Sequence, residues 1–349
     1  MGDQQYTNDS MYRDVCNAMS SYSSNGNFRI DKKLSNFRKL PIYQQDYLKD
    51  AFYERVEESR NALQANQAFL NNAREISEEM FQVSENKPTS YPQSANPKFL
   101  DSILRQVYRE WSVEAVEDRR TCFDPILDVF RQIYDENLRP DLVVLVPGAG
   151  IGRLVYELAK TGCQCVYNDS DMYSIIISYG FMNNKYQKHE FQIYPWVNVW
   201  SNNYNNSSAM KPVTVPDIIL DTDVNMRAEV GDFLACFKDD SFERFDCVVT
   251  CFFIDTMPNI INCIERIQYV LKRGGKWINL GPLSYHYEDD AKSVHIEPTF
   301  EEIQHVILNC LNFQVVKENT FIDCLYSDTK CLMNRNFYNC PFFVVQKPF

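Results

Sequence analysis

The stretch LVVLVPGAGIGR, residues 142–153, decides the fold of this 349-residue chain. Its first half is a run of aliphatic and β-branched side chains, which predicts a strand that is buried on both faces of a parallel sheet. Gly148, Gly150 and Gly152 follow, and a turn of glycines lets the backbone come close to a ligand. Helix-forming residues continue to residue 160. We therefore predict the first strand–turn–helix unit of a nucleotide-binding type of α/β fold.

Strands and helices alternate along the chain from residue 141 onward. Residues 245–253 are almost continuously apolar, which predicts the central strand of the sheet. Two late segments, 313–317 and 342–346, are predicted to pair as an antiparallel edge. Further strands are expected at residues 164–167 and 276–280, with a short strand and turn at 229–233. The pattern is typical of an α/β, Rossmann-like, doubly wound sheet with an antiparallel C-terminal edge strand.

The N-terminal part of the chain has a different character. Residues 1–27 are polar and rich in Ser, Asn and Tyr, so we predict a disordered N-terminus. The apolar periodicity of residues 28–140 predicts a helical region, in which three prolines mark a linker at 84–97. The α/β domain is expected to occupy residues 141–349.

Composition narrows the class of protein. The chain has 35 Lys and Arg against 47 Asp and Glu, a formal net charge of -12, which argues against nucleic acid as a partner. Its 12 cysteines include no CxxC pair and no Cys/His cluster, so we expect reduced thiols and no metal. The sequence has no apolar run of about 18 residues, so we predict no membrane span. These features predict a cytoplasmic protein, with the nucleus as a second location.

The spacing of the three glycines indicates which nucleotide binds. GxGxG is one residue short of the GxGxxG pattern of dinucleotide-binding proteins, and it is typical of enzymes that use S-adenosylmethionine (SAM). Asp169 follows the second predicted strand, where a carboxylate can accept hydrogen bonds from ribose hydroxyls. Asp232 and Phe233 follow the third predicted strand, and an acidic–apolar pair there suits the adenine amine and ring. NAD-dependent redox chemistry is the weaker alternative.

Six segments carry a resemblance to a known family. They read VPGAGIGRL at 146–154, YPWVNVWSNN at 194–203, GDF at 231–233, CVVTCFFIDT at 247–256, GGKWINLGPLSYHYED at 274–289 and YNCPFFVVQKP at 338–348. The chain resembles the carnosine N-methyltransferase (N2227-like) family from about Phe37 to its end. The resemblance implies a class I methyltransferase fold. It also implies that SAM methylates an imidazole nitrogen of carnosine, β-alanyl-histidine, giving anserine and S-adenosylhomocysteine.

The resemblance also implies which residues hold the cofactor. Gln106 and Arg109 would reach the methionine part of SAM, because a guanidinium pairs well with a carboxylate. Gly148 would let the backbone approach the cofactor. Asp169 would hold the ribose, although the family more often has Glu at this position.

The remaining cofactor residues lie further along the chain. The resemblance implies that Asp232 and Phe233 contact the adenine. It implies that Cys247, at the start of the predicted central strand, lines the cofactor site. From the residues alone, Cys247 is equally well explained as a buried core thiol.

Three residues are implied on the substrate side. Asp255 follows the central strand and is the predicted catalytic residue, since a carboxylate there can accept the N–H of a neutral imidazole and fix its tautomer. His286 and Tyr338 would contact the dipeptide. At Asn336 the chain departs from the family, which usually has an aromatic residue.

Three functions remain open at this stage. The first is N-methylation of carnosine or of related His-containing dipeptides. The second is methylation of histidine within a protein chain, which uses the same nitrogen chemistry. The third is a catalytically silent SAM-binding interaction module. The expected partner is a small peptide, with no membrane partner, and the resemblance also makes a homodimer plausible, with the N-terminal helices as the contact.

Overall fold

The computed structural model of the chain describes residues 2–81, 97–291, 294–327 and 332–349. The chain forms two compact units. The helical unit comprises Met1–Val116, Met172–Leu220 and Ser327–Asn336, and the sheet unit comprises Glu117–Asp171, Asp221–Tyr326 and Phe337–Phe349. Apart from Pro97, the predicted linker at 84–97 lies outside the described residues. None of the described helices is both long and apolar enough to cross a membrane.

The described residues of the two units form the following helices and strands. The α-helices are α1 (Gly2–Ser20), α2 (Tyr22–Phe37), α3 (Ile42–Phe81), α4 (Pro97–Trp111), α5 (Val116–Cys122), α6 (Asp124–Ile133), α7 (Arg153–Ala159), α8 (Met172–Met182), α9 (Phe233–Cys236), α10 (Ile260–Val270) and α11 (Phe300–His305). The strands are β1 (Val143–Pro147), β2 (Gln164–Asn168), β3 (Phe191–Ile193), β4 (Val213–Val215), β5 (Met226–Ala228), β6 (Phe245–Cys251), β7 (Leu271–Leu280), β8 (Gln314–Leu325) and β9 (Phe337–Gln346).

The helical unit is built around α3, which has 40 residues and is therefore about 60 Å long. Its inner face packs against α1, α2 and α8, and Leu63, Phe69 and Leu70 on that face are fully buried. In the same unit the Trp111 ring at the end of α4 stacks on Phe181 of α8, with 4.8 Å between ring centroids. Both α3 and α4 lie within the region that the apolar periodicity predicts to be helical.

The expected disorder of residues 1–27 is wrong for the described part of that segment, because it forms α1 and the start of α2. Tyr12, Val15, Met19 and Tyr22 recur at helical spacing, and all four are buried. These apolar side chains are separated by polar ones that face away from the core. The average composition of the segment therefore concealed a narrow apolar stripe.

The expected domain boundary at residue 141 also differs from the structure. Most of α5 and all of α6 belong to the sheet unit, whereas residues 172–220 belong to the helical unit. The reason lies in α8, whose sequence MYSIIISYGFM is apolar around most of its circumference. A helix of that kind needs neighbours on several sides, and α8 obtains them from α1, α3 and α4.

The sheet unit contains a seven-stranded sheet in the order β5-β2-β1-β6-β7-β9-β8. The pairs among β5, β2, β1, β6 and β7 are all parallel. β6 is the central strand, as its apolar sequence predicts. The antiparallel C-terminal edge is confirmed as the pair of β8 and β9, in which β9 pairs with β7 and β8 is outermost. This is the predicted doubly wound fold.

The register of the parallel strands brings their ends together. Pro147 at the end of β1 is opposite Asn168 at the end of β2, so the glycine turn and Asp169 begin side by side. Cys251 at the end of β6 is opposite Leu280 at the end of β7. We call this border of the sheet the carboxyl edge, and ligands of open α/β sheets bind outside it.

Candidate functional site

The glycine turn at residues 148–152 opens the β1–β2 side of the carboxyl edge. All three of its glycines have positive φ, of 62°, 58° and 89°, a conformation that side chains with a Cβ adopt at a cost. A Cβ on Gly148 would lie 2.2 Å from Cδ2 of Phe253. The glycine at this position is thus required by the Phe253 ring, which is a packing reason that the sequence did not suggest.

Asp169 ties the glycine turn to the end of β2. Its Oδ2 accepts the backbone N–H of Gly150 at 2.8 Å, and its Oδ1 accepts that of Asp171 at 2.8 Å. Burial raises the pKa of Asp169 to about 6, against the lowering effect of these N–H donors. Each carboxylate oxygen has a second lone pair, so the group can also accept hydroxyl donors.

Asp232 and Phe233 lie at the start of α9, in the loop that follows β5. The Asp232 side chain caps α9 by accepting the Ala235 N–H at 2.8 Å, while remaining exposed. The Phe233 ring is buried and meets the Phe253 ring edge-on, with 5.6 Å between centroids. An exposed acid beside a buried ring suits a polar, planar ligand, in keeping with the expectation for adenine.

The structure does not bring Cys247 to the carboxyl edge. Cys247 is fully buried near the start of β6, where it is opposite Val144 of β1 and Lys276 of β7. Four residues of extended strand, about 13 Å, separate it from the end of β6. Its position is that of a core thiol. The cysteine at the edge is Cys251, which is partly exposed and is not among the site residues predicted from the sequence.

Gln106 and Arg109 belong to the helical unit, on α4. The Gln106 amide donates to Glu110 Oε1 at 3.1 Å, and Arg109 Nη2 lies 3.4 Å from the same oxygen. Both charged side chains of this cluster are almost fully buried. Arg109 is therefore not an ordinary surface arginine, and its assignment to SAM stays a prediction.

Asp255 lies in a 3-10 turn (Ile254–Thr256) directly after β6, on the β6–β7 side of the edge. It is only 3% exposed. Its Oδ2 accepts the Ser284 N–H at 2.9 Å, and its carbonyl oxygen accepts the His286 N–H at 3.2 Å. Burial raises the pKa of Asp255, and the Ser284 N–H and the charge of His286 oppose this rise. The loop after β7 thus holds Asp255 at two points, one on its carboxylate and one on its main-chain carbonyl.

The backbone beneath Asp255 is tightly packed. Phe252 has φ of 54°, unusual for a bulky residue, and its N–H donates to the Leu280 carbonyl at 2.9 Å. A Cβ on Gly281 would lie 2.8 Å from the Phe252 nitrogen. The turn after β6 and the loop after β7 therefore interlock, and this contact sets the direction in which Asp255 leaves the sheet.

Tyr338 reaches the same side of the edge from the other end of the chain. Because β9 runs antiparallel to β7, its first residues lie beside the carboxyl end of β7. Partial burial raises the pKa of Tyr338, and the charges of Tyr326 and Asp255 raise it further. Asp255, His286 and Tyr338 all lie on this side of the edge, and the His286 side chain is exposed.

Three rings form an aromatic cluster at this point: Phe252, Tyr326 and Tyr338. Their centroids are 4.8 Å apart for Phe252 and Tyr326, 5.9 Å for Phe252 and Tyr338, and 5.7 Å for the two tyrosines. Phe252 and Tyr326 are not among the site residues predicted from the sequence. Phe252 could have been found from its position directly after the central strand, whereas Tyr326 depends on the pairing of β8 with β9.

The arrangement can bind and orient a planar nitrogen base. It offers a buried carboxylate, which accepts an N–H, and aromatic faces, which attract a ring that acquires positive charge. Among the described residues, no group of three or more His, Cys, Asp or Glu side chains could hold a metal ion.

Comparisons with known proteins show the family of the chain. The family model described as carnosine N-methyltransferase matches residues 86–349. Carnosine N-methyltransferase of Mus musculus is 33% identical over 349 residues, covering 96% of this chain and 85% of the mouse protein. The protein of that name from Schizosaccharomyces pombe is 33% identical over 261 residues, covering 70% of this chain and 69% of the yeast protein. Among solved structures, TehB from Haemophilus influenzae has a TM-score of 0.43 at 13% identity, covering 70% of this chain and 67% of its own. The chain belongs to the carnosine N-methyltransferase family and is a SAM-dependent methyltransferase.

Proposed function

We propose that the chain transfers a methyl group from SAM to an imidazole nitrogen of the histidine in carnosine or a related His-containing dipeptide. The products are anserine, or the corresponding methylated dipeptide, and S-adenosylhomocysteine. The observation that carries this proposal is the buried Asp255 carboxylate, held by the loop after β7 and flanked by the aromatic cluster. It is the group that a neutral imidazole requires as a partner.

The β1–β2 side of the edge fits SAM. Gly148 leaves the start of the turn without a side chain, and Asp169 supplies oxygens for the ribose hydroxyls. Asp232 and Phe233 supply an acid and a ring for adenine. Gln106 and Arg109 would hold the methionine part. Bound SAM supplies an electrophilic methyl group on a sulfonium ion.

The acceptor is activated by orientation. A neutral imidazole has one N–H and one nitrogen lone pair. When Asp255 accepts the N–H, the lone pair is on the opposite nitrogen, and the ring direction is fixed. Ser284 holds the carboxylate through Oδ2 before the acceptor arrives, so little reorganisation is needed. His286 and Tyr338 would hold the rest of the dipeptide.

The ring gains positive charge as the methyl group is transferred. The Asp255 carboxylate stabilises this charge, and the faces of the aromatic cluster add a cation–π attraction. Afterwards the ring must lose the proton on the nitrogen that faces Asp255. Because burial raises the pKa of Asp255, this carboxylate is a better proton acceptor than an ordinary one, and we assign it that role.

The experiment is methyl transfer from labelled SAM to carnosine, to anserine, to histidine and to a protein extract in parallel. We expect label in carnosine and none in anserine. Label in the protein extract alone would replace the proposal with protein-histidine methylation. An absence of label from all four, with SAM still bound by calorimetry, would favour a silent binding module.

We also propose that the enzyme acts as a homodimer in the cytoplasm or nucleus. The support for a dimer, beyond the family resemblance, is a group of exposed apolar side chains at the start of α3, where Ile42 and Tyr47 are each 77% exposed. Light scattering of the full chain and of Tyr47→Glu tests this. A wild-type mass of one chain contradicts it.

A further inference from the structure

Trp200 carries two cations over its ring in the helical unit. Lys33 Nζ of α2 lies 5.0 Å from the ring centroid, and Arg55 Cζ of α3 lies 4.3 Å from it. Trp200 belongs to the YPWVNVWSNN segment, for which methyl transfer gives no explanation. All three side chains are partly buried. We call Lys33, Arg55 and Trp200 the tryptophan–cation site.

The two cations lack a carboxylate partner. Within the described part of the chain, neither Lys33 nor Arg55 makes an ion pair, whereas Arg29 and Arg60 of the same unit pair with Asp101 and Asp31. Burial lowers the pKa of both groups, and the charge of Arg55 lowers the pKa of Lys33 further. Two like charges thus lie close together in a chain whose net charge is -12.

Arg55 shows which side of its guanidinium lacks a partner. Nε and Nη2 are both buried, and neither has a hydrogen-bond partner. The N–H bonds of these two nitrogens point in the same direction, and together they match two oxygens of one carboxylate or phosphate group. A buried N–H without a partner is costly, so an oxyanion there would be favoured.

We propose that the tryptophan–cation site binds a phosphate-type dianion, either inorganic phosphate or a phosphate monoester. Two oxygens would accept from Nε and Nη2 of Arg55, and a third would meet the Lys33 ammonium. A charge of about two on the ligand matches the two cations. Because both nitrogens are covered, the long Lys33 and Arg55 side chains must shift as the anion enters. The Trp200 ring lies against both and reports the event.

The experiment uses the full chain in chloride buffer, titrated with inorganic phosphate at constant ionic strength. Melting temperature and tryptophan fluorescence are the two measurements. We expect the melting temperature to rise by several degrees in a saturable way. We also expect a saturable fluorescence change, because Trp200 is the most exposed of the four tryptophans. Sodium acetate at the same ionic strength serves as the monoanion, and we expect a response at least about ten-fold weaker.

The variants Lys33→Met and Arg55→Met should lose the phosphate response. Arg60→Met is the matched control on the same helix, since Arg60 has its own carboxylate partner, and it should respond as the wild type does. In chloride alone we expect Lys33→Met to melt at or above the wild-type temperature, because it removes the repulsion between the cations.

Two results would overturn the proposal. One is a wild-type chain with no saturable phosphate response, or with an equal response to acetate. The other is a Lys33→Met protein that melts below the wild type in chloride yet keeps the full phosphate response. That combination would make the lysine a simple packing residue on the Trp200 ring.

Discussion

The two sides of the carboxyl edge are constructed differently. On the β1–β2 side, each polar group is fixed by a neighbour that is close in sequence or on the adjoining strand, as Asp232 is by Ala235 and Asp169 by Gly150 and Asp171. On the β6–β7 side, Asp255 is held by residues about 30 positions later, and the aromatic cluster joins the end of β6 to β8 and β9. The first side is local, and the second is assembled from distant segments.

This difference separates binding from chemistry. The local side offers hydrogen bonds that suit a constant ligand, and a change there should weaken SAM binding while the acceptor site stays intact. In the proposed mechanism the assembled side holds the reacting ring, so a change there should affect turnover while SAM binding remains.

Asp255→Asn should lower kcat by about 10³-fold, because the amide neither stabilises the growing charge nor takes the proton. SAM affinity should stay within about two-fold of the wild type. In the wild type, kcat should rise with pH through an acidic limb above the usual carboxylate range, since the pKa of Asp255 is raised and the ionised form is the active one. Stopped assays and calorimetry with SAM measure the two quantities. Equal losses in both would break the separation.

Asp169→Asn should weaken SAM binding by about 10–100-fold, the range for losing hydrogen bonds to a charged acceptor. The raised pKa of about 6 gives the direction of the pH dependence. Wild-type affinity should increase as pH rises through about 6, since ionised Asp169 is the better acceptor, and the variant should lose this increase. Calorimetry from pH 5 to 8 checks it, and a kcat unchanged at saturating SAM would place the effect in binding alone.

The raised pKa of Asp169 has the opposite consequence for stability. Its folded pKa exceeds the value of about 3.9 in an unfolded chain, so the folded state holds the proton more tightly. The contribution of this group to the free energy of unfolding therefore falls as pH rises from about 4 to about 6. As the pH rises and Asp169 ionises, the affinity for SAM should therefore increase while the free energy of unfolding decreases.

Gly148→Ala should destabilise the fold by about 1–3 kcal/mol, because the new Cβ meets the Phe253 ring at positive φ. Gly162→Ala is the matched control. Gly162 also has positive φ, but a Cβ there would lie 3.9 Å from its nearest neighbour. Urea unfolding of both proteins isolates the packing effect as their difference. Similar losses would mean that backbone strain alone explains the glycine at 148.

Tyr326→Leu should raise KM for carnosine by about ten-fold or less, as expected for losing one aromatic contact with a cationic ring. SAM affinity should not change. Phe321→Leu, which changes an exposed aromatic on β8, the strand that precedes Tyr326, is the control for general effects on β8. A KM equal to that of the control would remove Tyr326 from the acceptor site.

The contrast between the two sides also explains what the sequence could predict. The glycine turn, Asp169 and Asp232 follow predictable strands, and each is recognisable from a short motif. The position of Tyr338 and the aromatic cluster requires the pairing of β9 with both β7 and β8, which no local pattern specifies. Only the family resemblance brought Tyr338 into the set.

Two expectations from the sequence, one for Cys247 and one for the N-terminal helices, differ from the structure for related reasons. Cys247 lies near the start of β6, as its place in the sequence predicted, whereas ligands of an open α/β sheet bind outside the other end of the strands. In residues 1–27, a stripe of apolar side chains was too sparse to outweigh the polar average. Both expectations depend on where a residue lies in the folded chain, and composition does not report that.

The antiparallel strand β9 has a consequence for the order of synthesis. The ribosome releases β1 to β7 well before residues 337–346, and domains fold as they emerge. Until β9 inserts between β7 and β8, one side of β7 lacks its hydrogen-bonding partner, and Tyr338 is absent from the edge. A nascent chain can therefore hold the glycine turn and Asp169 in place while the site for the methyl acceptor is still incomplete. β9, which is made after every other strand of this sheet, would thus complete the proposed acceptor site.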